Sequence, residues 1–120
     1  MIVPGLTNDA AEMRNLTEWI PKYLPDVYVA VCEVGRYKSV FYSIPRQLQM
    51  VRACVQQNPL LADGFVGLGH SQGGLLLRRY AELFNGFPSF QMKRLVTLSC
   101  PHGGFYCGGL VKCPPFASNF

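Results

Sequence analysis

No run of apolar residues in this 120-residue sequence approaches the roughly 20 needed to cross a bilayer, so no membrane-spanning helix is expected. Charge is scarce as well. Charged residues make up 15% against 49% hydrophobic, a balance that excludes an intrinsically disordered chain and describes a core-rich globular one. Internal repeats and low-complexity tracts are missing, which removes solenoid and linker architectures. No Cys-x-x-Cys pair occurs and only His102 lies near the late cysteines, so neither a metal centre nor a cofactor is expected. Met1-Ile2-Val3-Pro4-Gly5 lacks the charged and apolar regions of a signal peptide. The net charge of +4 is dispersed, with Arg36, Lys38, Arg46, Arg52, Arg78, Arg79, Lys93, Arg94 and Lys112 spread along the chain rather than gathered into a stripe. That dispersal argues against nucleic-acid binding and leaves peripheral association with anionic membrane surfaces open. At this length one domain with a modest core is expected.

What is present is an alternation of strand and helix signals. Met1 to Val3 reads as a strand stump, followed by a loop at Pro4-Gly5-Leu6-Thr7-Asn8. Asp9 with Glu12 three residues on resembles a capping box, opening a helix over about 10–20 that Pro21 and Pro25 curtail. Val27 to Val34 is the best strand, β-branched and almost uniformly apolar, and should be buried on both faces. A loop from Gly35 to Tyr42 leads to Pro45 at a first helical position. Ile44, Leu48, Val51 and Val55 then mark one stripe of an amphipathic helix. Phe65, Val66 and Leu68 suit a buried parallel strand; Leu75, Leu76, Leu77, Tyr80, Leu83 and Phe84 recur at helical spacing until Gly86 and Pro88. Lys93 to Ser99 supplies another strand. Strands alternating with helices predict a three-layer parallel α/β sheet of about four strands and three helices.

Between the central strand and its helix stands Gly69-His70-Ser71-Gln72-Gly73, a Gly-x-Ser-x-Gly in the strand–turn–helix setting that a nucleophile elbow requires. A serine hydroxyl is a poor nucleophile and must be lifted clear of the sheet to meet a base and a carbonyl carbon. Gly69 and Gly73 permit the tight backbone, and Ser71 is the tip. The N–H of Gln72 opens the helix and points where an oxyanion would form. The pattern is that of an α/β-hydrolase, in which the chain order runs Ser, Asp or Glu, then His. Downstream of Ser71 there is no aspartate, and Glu82 is the only carboxylate, on the helix and directed away from the strand ends. His70 projects away from the nucleophile and reads as packing. His102 follows the strand beside the elbow and is a second candidate, with a loop histidine bonded to backbone around Pro101-His102-Gly103-Gly104 as the favoured reading. The triad is not completed by this sequence.

Five cysteines leave at least one unpaired within a single chain. Cys32, in an apolar strand, and Cys54, in a helix, read as buried thiols. Cys100, Cys107 and Cys113 cluster late, where one bridge among them fits. Asn15-Leu16-Thr17 is a glycosylation sequon placed inside a helix, slight support for a secretory route.

Taken together, Gly5-Leu6-Thr7-Asn8-Asp9, Leu24-Pro25-Asp26-Val27-Tyr28-Val29, Glu33-Val34-Gly35, Gly69-His70-Ser71-Gln72-Gly73-Gly74-Leu75 and Pro101-His102-Gly103-Gly104-Phe105 resemble the palmitoyl-protein thioesterases. The resemblance covers 1–113 as part of an α/β-hydrolase domain, truncated relative to relatives, and leaves 114–120 as a divergent tail. It implies hydrolysis of long-chain acyl thioesters on protein cysteines, with Ser71 as nucleophile and the N–H groups of Leu6 and Gln72 as oxyanion hole. Partners would be S-acylated proteins or acyl thioesters, and the location lysosomal or secretory. A lipase or carboxylesterase acting on oxygen esters, or a catalytically inactive remnant, is the alternative.

Overall fold

A computed structural model describes residues 1–6 and 8–104. Among these, β1 (Ile2–Val3), α1 (Arg14–Tyr23), α2 (Ile44–Gln56), β2 (Phe65–His70), α3 (Gln72–Phe84) and β3 (Met92–Leu98) follow in sequence. The three strands form one parallel sheet in the order β1-β2-β3. Register is set by Ile2 opposite Leu68 and by Leu68 opposite Val96, with an irregularity between Phe65 and Val66. The parallel α/β alternation therefore stands as the sequence predicts, with β2 central and its carboxyl end running into α3.

The predicted strand over Val27 to Val34 is the largest departure. It contributes a single parallel bridge, Val31 to Ile2, on the side of β1 away from β2. Two hydrogen bonds hold it, the Ile2 N–H to the Ala30 carbonyl at 2.7 Å and the Cys32 N–H to the Ile2 carbonyl at 2.9 Å. A ladder is only as long as its partner, and β1 offers two residues before Pro4. Val27 and Tyr28 lie beyond that reach and are exposed rather than buried on both faces. The first helix also shifts. Asp9 does accept from the N–H groups of Ala11 and Glu12, at 2.9 and 3.3 Å, but it caps a turn, and α1 begins only at Arg14. Pro21 sits inside α1 rather than ending it. Residues Arg36–Phe41, expected as loop, wind into a 3-10 helix entered through Gly35 at φ 72°.

The core lies between the sheet and α2 with α3. Leu48, Val51 and Val55 of α2 meet Leu76, Leu77 and Tyr80 of α3 over Val3, Phe65 and Met92. Along β2, side chains alternate, as a pleated strand dictates: Phe65, Gly67 and Gly69 face this core, while Val66 is 48% exposed on the other side. Burying a Leu- or Val-sized side chain contributes roughly 1.5–3 kcal/mol each. That stripe is what fixes α2 and α3, and through α3 the elbow.

Cys32 and Cys54 are joined in a disulfide, which overturns their reading as free buried thiols. The bridged half-cystines tie the Val31 segment to α2 across a sequence separation of 22. Sequence alone placed both in apolar elements but gave no sign that the elements were neighbours.

Candidate active site

The turn between β2 and α3 is built by close approach of backbone to backbone. A methyl group on Gly69 would come within 2.4 Å of the Gly74 N and Cα atoms, far inside van der Waals contact. One on Gly73 would come within 2.1 Å of the Val3 carbonyl oxygen and 2.6 Å of that of Pro4. Glycine at these two positions lets the first turn of α3 sit directly on the carboxyl ends of β1 and β2. Ser71, between them, is held at φ 51° and ψ −124°, a conformation that costs a non-glycine residue on the order of 1–3 kcal/mol. Its N–H donates to the Leu98 carbonyl at 2.8 Å, and its own carbonyl accepts from Gly74 at 3.1 Å. Both ends of the strained residue are therefore pinned, one by β3 and one by α3.

The loop after β1 closes against this tip. A methyl on Gly5 would lie 3.0 Å from Ser71 Cβ and 3.4 Å from His70 Nδ1. Leu6 thus follows a residue in contact with Ser71, while Gln72 follows Ser71 itself. Among the described residues neither the Leu6 nor the Gln72 N–H has an intramolecular acceptor. The first N–H groups of a helix are in any case unsatisfied within it, and the helix dipole places partial positive charge there. Ser71 and the Gln72 N–H therefore stand together at one helix start, with the loop that carries Leu6 beginning against the same tip. His70 Nδ1 is buried without a hydrogen-bond partner, beside Gly5 and behind the tip.

His102 lies just past the carboxyl end of β3. Its Nε2 is 3.2 Å from Thr97 Oγ1 and its Nδ1 3.7 Å from Cys100 Sγ. Its backbone N–H donates to the Cys100 carbonyl at 2.9 Å. It is the loop histidine of the favoured reading, but its ring is held by two side chains rather than by backbone. Cys100 itself packs on the first turn of α3, where a methyl on Gly74 would reach its sulfur at 2.7 Å. Burial pushes the Cys100 thiol up from its ordinary value, with the positive charge of Arg78 opposing. Cys100 is a free thiol; Cys107 and Cys113, with which a bridge was expected, lie outside the described residues. The Thr97–His102–Cys100 chain is the feature that sequence reasoning missed. The spacing Thr-x-x-Cys-x-His was available but has no meaning until the turn after β3 folds back.

The carboxylates fall elsewhere. Glu82 is paired with Arg79 at 2.9 Å and Arg78 at 3.3 Å on the exposed face of α3, and those two cations hold its carboxyl below the usual range. Asp9 caps its turn, and Asp26 and Asp63 occupy turns. Among the described residues, cavities of about 220, 360 and 410 Å³ are lined around Arg52 and Tyr80, around Met1 and Val66, and around Arg36. Among the described residues, no group of three or more His, Cys, Asp or Glu could hold a metal ion, and no helix is long and apolar enough to cross a membrane.

A family model described as Palmitoyl protein thioesterase matches residues 1–118. Palmitoyl-protein thioesterase 3 of Dictyostelium discoideum is 30% identical over 116 residues, covering 95% of this chain and 39% of the relative. The Lysosomal thioesterase PPT2 homolog of Drosophila melanogaster is 30% identical over 107 residues, 88% of this chain and 36% of the relative. The chain therefore spans well under half the length of these curated relatives. With a strand–elbow–helix on a parallel sheet and a family match over nearly all of its length, the chain belongs to the palmitoyl protein thioesterase family.

Proposed function

We propose that Ser71 is the nucleophile of an acyl-thioester hydrolase. The observation that carries this is the strained Ser71 backbone, φ 51° and ψ −124°, held between Leu98 and Gly74 at the tip of β2. Strain of this kind persists where the surrounding structure over-determines it, and such sites cluster at reacting centres. Ser71 Oγ would attack the thioester carbonyl carbon, and the oxygen that gains charge would be met by the N–H groups of Leu6 and Gln72. The thiolate would leave, giving an acyl-Ser71 that water then hydrolyses. Substrates would be proteins carrying long-chain acyl groups on cysteine.

A base must take the hydroxyl proton, and His102 is committed to Thr97 and Cys100. Since the relatives are more than twice as long, we assign the base and its orienting carboxylate to a longer form of the protein. Residues 1–113 would be the N-terminal to central part of its hydrolase domain and 114–120 a divergent tail. The Cys32–Cys54 disulfide suits an oxidising compartment, and one relative is named a lysosomal thioesterase, so a lysosomal or secretory location is proposed.

The test is labelling with a fluorophosphonate probe and hydrolysis of a palmitoyl thioester, on the 120-residue chain and on a form extended to the relatives' length. The extended form should turn over and Ser71→Ala should not, while the short chain should be slow at best. Faster turnover of oxygen esters than of thioesters would replace the thioesterase reading with an esterase one. Turnover surviving Ser71→Ala would end both.

A further inference from the structure

The free thiol of Cys100 has an imidazole beside it, and that imidazole has a hydroxyl on its far side. If His102 Nε2–H donates to Thr97 Oγ1 at 3.2 Å, the Nδ1 lone pair is left to face Cys100 Sγ at 3.7 Å. This is the general arrangement of an activated nucleophile: a nucleophilic atom, a base within reach, and a third group that fixes the base's tautomer. Position adds to it. Cys100 lies beyond the carboxyl end of β3, the side on which parallel α/β sheets bind ligands, and rests on Gly74, three residues along α3 from Ser71. The sulfur is partly buried and the imidazole exposed, so a reagent approaching the helix start can reach the pair.

We propose that Cys100, with His102 as its base, is a second acyl acceptor beside the elbow, taking an acyl group from a thioester by thiol exchange. The proposal rests on the reading that acyl thioesters are the substrate class. As the Cys100 sulfur bonds to the carbonyl carbon, His102 Nδ1 takes the thiol proton. The carbon–sulfur bond of the incoming thioester then breaks, and the departing thiolate receives that proton. One thioester is consumed and one is formed, so no oxidant, reductant or water enters. Burial raises the Cys100 thiol, so removing its proton falls to the imidazole that faces the sulfur at 3.7 Å, which gives His102 its role. Exchange also fits the local shape: it needs only a thiol and a base, both present, whereas hydrolysis through Ser71 needs a base supplied from elsewhere.

The 120-residue chain is incubated with S-octanoyl-N-acetylcysteamine at neutral pH, and the adduct is mapped by tandem mass spectrometry. The octanoyl mass is expected on Cys100 in preference to Cys107 and Cys113, in the unaltered chain and equally in Ser71→Ala. His102→Gln, which keeps a side-chain partner for Thr97, should slow labelling of Cys100 on the order of 100-fold, the usual contribution of a general base. Labelling spread evenly over the three thiols, or a Cys100 rate indifferent to His102→Gln with far-UV circular dichroism unchanged, would overturn the proposal. Mapping on the unaltered chain keeps the first readout independent of any variant's folding. Hydrolysis by the extended form that survives Ser71→Ala, with Cys100 labelling intact, would strike the nucleophile assignment alone.

Discussion

At the scale of single residues, the site is made by side chains that are absent. The 2.1 Å separation between a methyl on Gly73 and the Val3 oxygen cannot be relieved by turning a side chain, because both partners are backbone. Gly73→Ala must therefore push α3 off β1, and overpacking of this kind typically costs about 1–3 kcal/mol. Urea unfolding should show that loss, together with reduced labelling of Ser71 in the extended form. Ser71 presents the opposite case. Its positive φ is costly for any residue with a Cβ, so Ser71→Gly should be more stable than Ser71→Ala by about 1 kcal/mol, measured as a shift in urea midpoint at constant m. Equal stabilities would mean that the tip is not strained. Gly69 and Gly73 were legible in the sequence because a five-residue motif carries its own geometry. Gly74 and Gly67 were not, since what they accommodate comes from distant positions: Cys100 and Thr97 for one, Met92 and Leu77 for the other.

Elements show where the pattern of residues decides and where partners do. The Leu48-Val51-Val55 stripe of α2 and the Leu76-Leu77-Tyr80 stripe of α3 were readable because helical periodicity is a local property that packing then rewards. Val27 to Val34 is equally apolar, yet a strand exists only through its neighbour, and β1 supplies two residues. The disulfide compensates for that short ladder. For a loop of this size, closure entropy predicts that removing the bridge costs about 3 kcal/mol. Cys32→Ser with Cys54→Ser should lose that much in denaturant titration, and the unaltered chain should lose it on adding reductant. Glu33 ties the same region to the turn before α1. Arg36 at 2.8 Å and the Ala10 N–H at 2.9 Å favour its ionised form and hold its carboxyl below the ordinary 4.5. A carboxyl lowered on folding stabilises above its unfolded value, and that contribution is lost as pH falls through the folded one. Stability should therefore decline on acidification below about pH 4.5, and Glu33→Gln should flatten the decline. Glu82→Gln, at an exposed helix pair, should change it less.

Across the whole molecule, the two sides of the sheet are unequal. One is covered by α2 and α3, and the other presents Val66, Val96 and Leu98, at 48%, 44% and 38% exposure. These positions adjoin through the β2–β3 register, which sets Leu68 against Val96 and His70 against Leu98. On α1, Trp19 and Tyr23 are exposed as well, as is Leu24 just past its end, and none of the residues of α1 is buried. Neighbouring exposed apolar side chains on a sheet face, such as Val66, Val96 and Leu98, are a surface for association. Beside it the outer side of β3 has no neighbouring strand among the described residues, and an unpaired edge is a template for further pairing. Lys93 and Arg94 guard the beginning of β3, but its carboxyl half, toward the elbow, carries no charge. Sedimentation velocity on the 120-residue chain should therefore show association that grows with concentration in the micromolar range. Val96→Lys should suppress it without loss of helical circular dichroism, because that side chain points away from the α2–α3 core. Glu82→Lys, a charge change on the opposite helical face, should leave it unaltered. A chain that stays monomeric throughout, with no binding of a hydrophobic dye, would mean that the Val66–Val96–Leu98 face is covered in solution.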